Sequence, residues 1–196
     1  MSKPHDRPRG AAAMIVLALW APYALLNTIF PGPALTYALG LALALAAQAT
    51  LGLAGAGRDA RFLRLGPLSW QGALILALLA LFIPAALLAG RAQPFSPLDD
   101  LVYAPASALA QELYFRSALL VALDWLLDGR ARSALTIQAA LFSVWHVRAF
   151  AVVGPVPALG VLALTFIAGL LWAAQARHDR TIVYAALQHT LFLIVQ

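Results

Sequence analysis

Apolar runs of about 20 residues follow one another along almost the whole chain, and that is the length an α-helix needs to cross a hydrocarbon core. About seven runs can be marked: Ala11–Phe30, Ala34–Gly55, Gly72–Gly90, Leu101–Leu123, Ala134–Val153, Ala158–Ala176 and a short last one, Thr181–Val195. Pro31-Gly32-Pro33 and Gly154-Pro155-Val156-Pro157 break the pattern where tight hairpins between runs are needed. In lipid each backbone N–H and C=O needs a partner within the protein, so the runs are expected to be helices; a barrel would need alternating polarity, which is missing. The expected fold is all-α, a polytopic transmembrane helical bundle of about seven spans forming one integral membrane domain. Composition agrees. Of 196 residues 63% are hydrophobic and 11% charged, too few charges to cover a soluble surface, so the lipid bilayer is an obligatory partner.

The net charge of +5 raises the question of nucleic acid. Its placement argues against that partner, because the basic residues sit in short segments between apolar runs and form no continuous face. Lys3, Arg7, Arg9, Arg58, Arg61, Arg64, Arg130, Arg132, Arg177 and Arg180 fall on one side if seven spans alternate, against Arg91 and Arg148 on the other. The positive-inside rule then puts the N-terminus in the cytoplasm and the C-terminus outside, as for a multi-pass protein of a bacterial inner membrane. The first run is longer than the apolar part of a signal peptide and lacks a small-x-small cleavage site, so a retained span is expected. The loop from Arg58 to Gln71 mixes arginines with Phe62, Leu63, Leu65 and Trp70 and is expected to lie in the interface.

Against this background a few residues stand out. An ionisable group deep in a span costs at least about 2.5 kcal/mol on insertion scales and usually faces a protein interior or a wet cavity. Glu112 lies near the middle of the fourth run, and Arg116 is four residues on, where the two can pair on one helix face. His146 lies in the fifth run, about seven residues from its outer end, and His189 in the seventh. Each alone is compatible with a structural ion pair or a satisfied core histidine. Together they describe a convergent polar centre. A carboxylate and an imidazole can activate water and later protonate a leaving amine, a second imidazole can donate to an oxyanion, and a guanidinium can hold a carboxylate ionised. Cysteine is absent, which removes thiol chemistry. Ser143 lies three residues before His146, but the Gly-x-Ser-x-Gly turn of a serine nucleophile does not occur. Glu112, His146 and His189 match a zinc His₂Glu set in type; yet no two of them share an i, i+4 face and His-Glu-x-x-His is missing, so neither a metal nor another cofactor is expected.

These residues resemble the CPBP (CAAX protease and bacteriocin-processing, or Abi) intramembrane proteases. That family carries Glu-Glu-x-x-x-Arg, then Phe-x-x-x-His, then a His-x-x-x-Asn-like motif, each on its own span. Gln111-Glu112-Leu113-Tyr114-Phe115-Arg116 resembles the first, Phe142 to His146 the second, and His189 the third. The resemblance covers about residues 95–193 and divides the chain into N-terminal spans (10–95) and a catalytic core (96–196). It implies a glutamic-type intramembrane endopeptidase acting on a membrane-anchored protein or peptide, in some relatives a C-terminal sorting signal. The expected catalytic set is Glu112, His146, His189, Arg116 and Gln111, with Phe142, Trp145 and Tyr114 as substrate contacts. The sequence departs from the pattern twice. The family's first glutamate, its water-activating base, is Gln111, and the Asn-like position after His189 is Leu193. Three readings stay open: Glu112 acts as base, the chain is an inactive homologue serving as a binding or immunity protein, or Gln111 is an active-site Glu→Gln variant.

Overall fold

In a computed structural model, residues 6–29, 33–56, 68–70, 72–78, 81 and 96–194 are described. All regular structure among them is helical. The helices are α1 (Asp6–Ala18), α2 (Trp20–Ile29), α3 (Pro33–Leu53), α4 (Ala104–Glu112), α5 (Leu120–Leu126), α6 (Ala131–Trp145), α7 (Ala149–Val153), α8 (Pro155–Asp179) and α9 (Val183–Ile194). Two π-helical segments, π1 (Asp99–Tyr103) and π2 (Leu113–Leu119), precede and follow α4.

Among the described residues, three stretches are long and apolar enough to cross a membrane: Pro8–Leu26, Ala34–Leu53 and Pro155–Asp179. Their outward faces carry exposed Met14, Ile15, Leu25, Leu45, Leu159, Ile167 and Leu171, as lipid contact requires. The predicted fourth span is continuous with π1, α4, π2 and α5. Those segments follow one another from Asp99 to Leu126 and reach about 40 Å at about 1.5 Å per residue. This composite helix is the axis of the bundle. Every residue from 110 to 123 is buried, and π2 is packed by α1, α3, α6 and α8. The predicted third span is described only at residues 72–78 and 81, and the basic segment at 57–67 lies outside the described residues, as does the turn at Pro31-Gly32.

The predicted fifth span is corrected. It is not one helix through Val153. The 15 residues of α6 rise about 22 Å, short of a 30 Å hydrocarbon core, and end at Trp145. A turn at residues 146–148 and the five residues of α7 follow. His146 closes the helix itself: its backbone N–H bonds to Ser143 O at 2.9 Å and its Nδ1–H donates to Phe142 O at 2.9 Å. Both carbonyls belong to the last turn, whose acceptors have no helical donor. Non-helical backbone at membrane depth is tolerated where it is enclosed or borders a cavity, and this turn borders one.

α6 and α8 make the most extensive helix–helix contact among the described residues. A Cβ on Gly169 would lie 3.1 Å from Ala139 Cα and 3.2 Å from Phe142 Cδ1, so the missing side chain is what lets the backbones approach. Gly154, at φ 82°, lets the chain reverse before Pro155 starts α8 at a position that needs no N–H.

Candidate active site

Glu112 is the last residue of α4 and Arg116 lies inside π2, both fully buried. Arg116 Nε stands 3.3 Å from Glu112 Oε2, an ion pair without hydrogen-bond alignment. The guanidinium is held by rings instead. Its carbon lies 3.9 Å from the centre of Phe142, 5.4 Å from Trp172 and 5.8 Å from Phe115. Cation–π contacts of this kind give about 0.5–2 kcal/mol, with the larger values away from water. The wider π turn brings residues 113–119 inward together, and its signature bond runs from Leu120 N–H to Phe115 O.

The other carboxylate oxygen of Glu112 accepts a 2.9 Å hydrogen bond from His189 Nδ1 on α9. Trp172 stacks on that imidazole, with centroids 4.6 Å apart and planes 26° apart. The hydrogen bond and the stack fix both the position and the plane of His189. Phe142 bridges the two histidines, with its ring centre 4.9 Å from His146 and 5.9 Å from His189. With both Nδ1 atoms committed to acceptor oxygens, each neutral ring keeps its lone pair on Nε2.

A cavity of about 360 Å³ opens against this cluster. Its polar wall includes Gln111, Ser107, His146 and His189; its apolar wall includes Phe142, Trp145, Trp172, Leu164, Phe192 and Leu193. α2 and α3 contribute Tyr23, Thr36, Tyr37 and Gly40, so the N-terminal helices enclose the same space.

The residues singled out from the sequence therefore divide. Gln111, His146, His189, Phe142 and Trp145 line the cavity; Glu112, Arg116 and Tyr114 do not. Glu112 stands one layer back, bonded to His189 and away from the cavity surface. Tyr114, expected as a substrate contact, is buried away from the cavity. Its hydroxyl donates to Val16 O at 2.8 Å and its ring stacks on Tyr23 at 4.5 Å, leaving Tyr23 to face the cavity. The adjacent positions 111 and 112 are about 100° apart around a helix, which sends one side chain to the cavity and the other to His189. Sequence reasoning missed Trp172, Tyr23, Tyr37 and Ser107. Aromatic and hydroxyl residues are ordinary in apolar spans, and no spacing marked these four.

No curated protein and no solved structure matches the chain. A family model does, over residues 93–195, a stretch that holds Gln111, Glu112, Arg116, His146 and His189; by that match the protein is a member of the Rce1-like family, described as type II CAAX prenyl endopeptidase Rce1-like.

Proposed function

We propose that the protein is an intramembrane endopeptidase that hydrolyses a peptide bond of a membrane-anchored protein, with His189 as the base that activates water. The observation that carries this is the relay of a fully buried carboxylate through His189 to the cavity. Glu112 accepts a hydrogen bond from Nδ1–H, which selects the tautomer with a free Nε2 and stabilises the imidazolium formed when Nε2 takes a proton from water. Gln111 cannot take that part, since an amide binds no proton at neutral pH. The water has a second hydrogen, and the Nε2 of His146 is the acceptor for it, which turns an oxygen lone pair toward the substrate carbonyl. Water oxygen bonds to the carbonyl carbon, the C–N bond then breaks, and the imidazolium returns its proton to the departing amine. Arg116 balances the charge of Glu112, so the buried pair is neutral overall and His189 stays an uncharged base. In this reading residues 96–196 form the catalytic core, and α2 and α3 of the N-terminal part (residues 10–95) help to enclose the cavity.

The site lies within a multi-pass protein whose basic segments favour an inner membrane with the N-terminus in the cytoplasm. The substrate is a C-terminal tail held beside the membrane by its own anchor, a prenyl group or an apolar sorting segment. The protein in detergent or liposomes should be given internally quenched peptides carrying either a prenylated CAAX tail or an unprenylated apolar anchor. Cleavage is expected to fall about 10²-fold or more in His189→Ala and in His146→Ala. Full turnover by His189→Ala would remove the proposed base. Gln111 and Leu193, both in the cavity wall, favour a second reading, a binding protein that retains the fold without hydrolysis. Peptide binding with no cleavage of either substrate class would select it.

A further inference from the structure

Gln111 is only 3% exposed, and its Nε2 donates to Ser107 Oγ at 2.9 Å. Tyr37 from α3 lines the same cavity. All three residues line the cavity that the two histidines also line, and Gln111 and Ser107 are joined by the Nε2–Oγ bond. A primary amide has two N–H donors and one carbonyl acceptor. Ser107 engages one N–H and sets the amide plane. Oε1 is buried and has no partner among the described residues. A buried acceptor left unmatched costs about 1–3 kcal/mol, so its retention at a cavity wall calls for a ligand with an N–H to offer. One residue of an extended peptide presents its own N–H and C=O along the same edge, the pair that strands exchange in an antiparallel sheet. The Oε1 and the second N–H of a primary amide complement that edge.

We infer that Gln111 is a substrate-binding residue that accepts the backbone N–H of the peptide substrate and donates to the C=O of the same residue, while Ser107 holds the amide in plane. This deepens the endopeptidase reading and rests on it for the identity of the ligand as a peptide. It also gives the glutamine its own function. A carboxylate at position 111 has no N–H to donate, so Gln111→Glu loses half of the recognition and does not restore a missing base. Main-chain pairing of this kind supplies affinity that is indifferent to side chains, with selectivity left to the aromatic wall.

The test separates binding from turnover. A fluorescent prenylated CAAX peptide and a set of its single N-methyl derivatives are titrated by anisotropy against the full chain carrying His189→Ala, with and without Gln111→Ala. One N-methyl position is expected to weaken binding about 3–10-fold when Gln111 is present and to have no further effect in Gln111→Ala. Ser107→Ala should weaken binding in the same direction while keeping the same sensitive position. Equal N-methyl penalties in both backgrounds, or unchanged affinity of Gln111→Ala, overturn the inference. Faster hydrolysis by Gln111→Glu in the otherwise native chain overturns it as well, since that makes position 111 the base. Cleavage by the native chain without N-methyl coupling removes this inference and leaves the endopeptidase reading; coupling without cleavage does the reverse. Failure of the unmethylated peptide to bind removes both.

Discussion

The ionised side chain that most needs explanation is Arg116, fully buried beside Glu112 with NH1 and NH2 unpartnered among the described residues. A buried ion pair seldom adds net stability over an apolar pair of the same size, but breaking it leaves an uncompensated charge at about 3–5 kcal/mol. Arg116→Met should therefore destabilise the protein by about that amount, since Glu112 would keep only His189. The double variant Arg116→Met/Glu112→Gln should recover most of the loss, because no charge is left. Thermal unfolding of the four proteins in one detergent measures the coupling. If the two single losses simply add, the pair is not a unit. Activity should not follow stability. Glu112→Gln keeps the shape but withdraws the charge that supports the His189 imidazolium, so the folded protein is expected to lose turnover about 10²-fold or more, read as a fall in kcat with KM little changed. An unchanged kcat would mean that the carboxylate serves the fold alone.

Among the elements, the helices and their order were legible because apolar length is a strong signal and Pro or Gly marked the reversal before α8. The end of α6 was not. His146-Val147-Arg148-Ala149-Phe150 contains neither breaker, and the helix stops because an imidazole takes the carbonyl of Phe142. That event belongs to the folded site and leaves no local mark in composition. π2 was hidden for a related reason: its seven residues would serve an α-helix equally well, and the wider turn sits where four other helices pack around it. The site followed the same division. Glu112, Arg116, His146 and His189 were visible because charge is costly in lipid, whereas the aromatic clamp and the cavity residues Tyr37 and Ser107 are of types that cost little there. These elements are joined at one tight contact. Gly169→Val would push α8 away from Ala139, whose backbone cannot yield, and would displace Phe142, the ring under Arg116. A destabilisation of about 1–3 kcal/mol is expected, with loss of turnover in the protein that remains folded. Wild-type stability and rate in Gly169→Val would show that the α6–α8 spacing is not set by this glycine.

For the whole molecule, the proposed direction in the membrane rests on charge and on the path of the chain. The turn after α5, at Asp128-Gly129, and the end of α8, at Arg180, lie at the ends of neighbouring core helices that the basic clusters assign to one side; Gly154 lies at the opposite end of α8. α8 has 25 residues and rises about 37 Å, enough to separate its two ends by a full bilayer core. Its basic end carries Arg177, which pairs with Asp124 of α5 at 2.7 Å, so this charge ties two helices at the end that the proposed direction makes cytoplasmic. The chain contains no cysteine, and single-cysteine variants therefore have a silent background. Val156 is 79% exposed at the start of α8, and Asp128 is exposed at the turn before α6. With the N-terminus cytoplasmic, Val156→Cys should react with an impermeant maleimide added outside intact cells. Asp128→Cys should react only after the membrane is opened. The reverse pattern would invert the protein and place its basic segments outside. Labelling of both from one side would require the chain to re-enter between α5 and α8, which would move the His146 turn to a different depth and change the side from which a tail reaches the cavity.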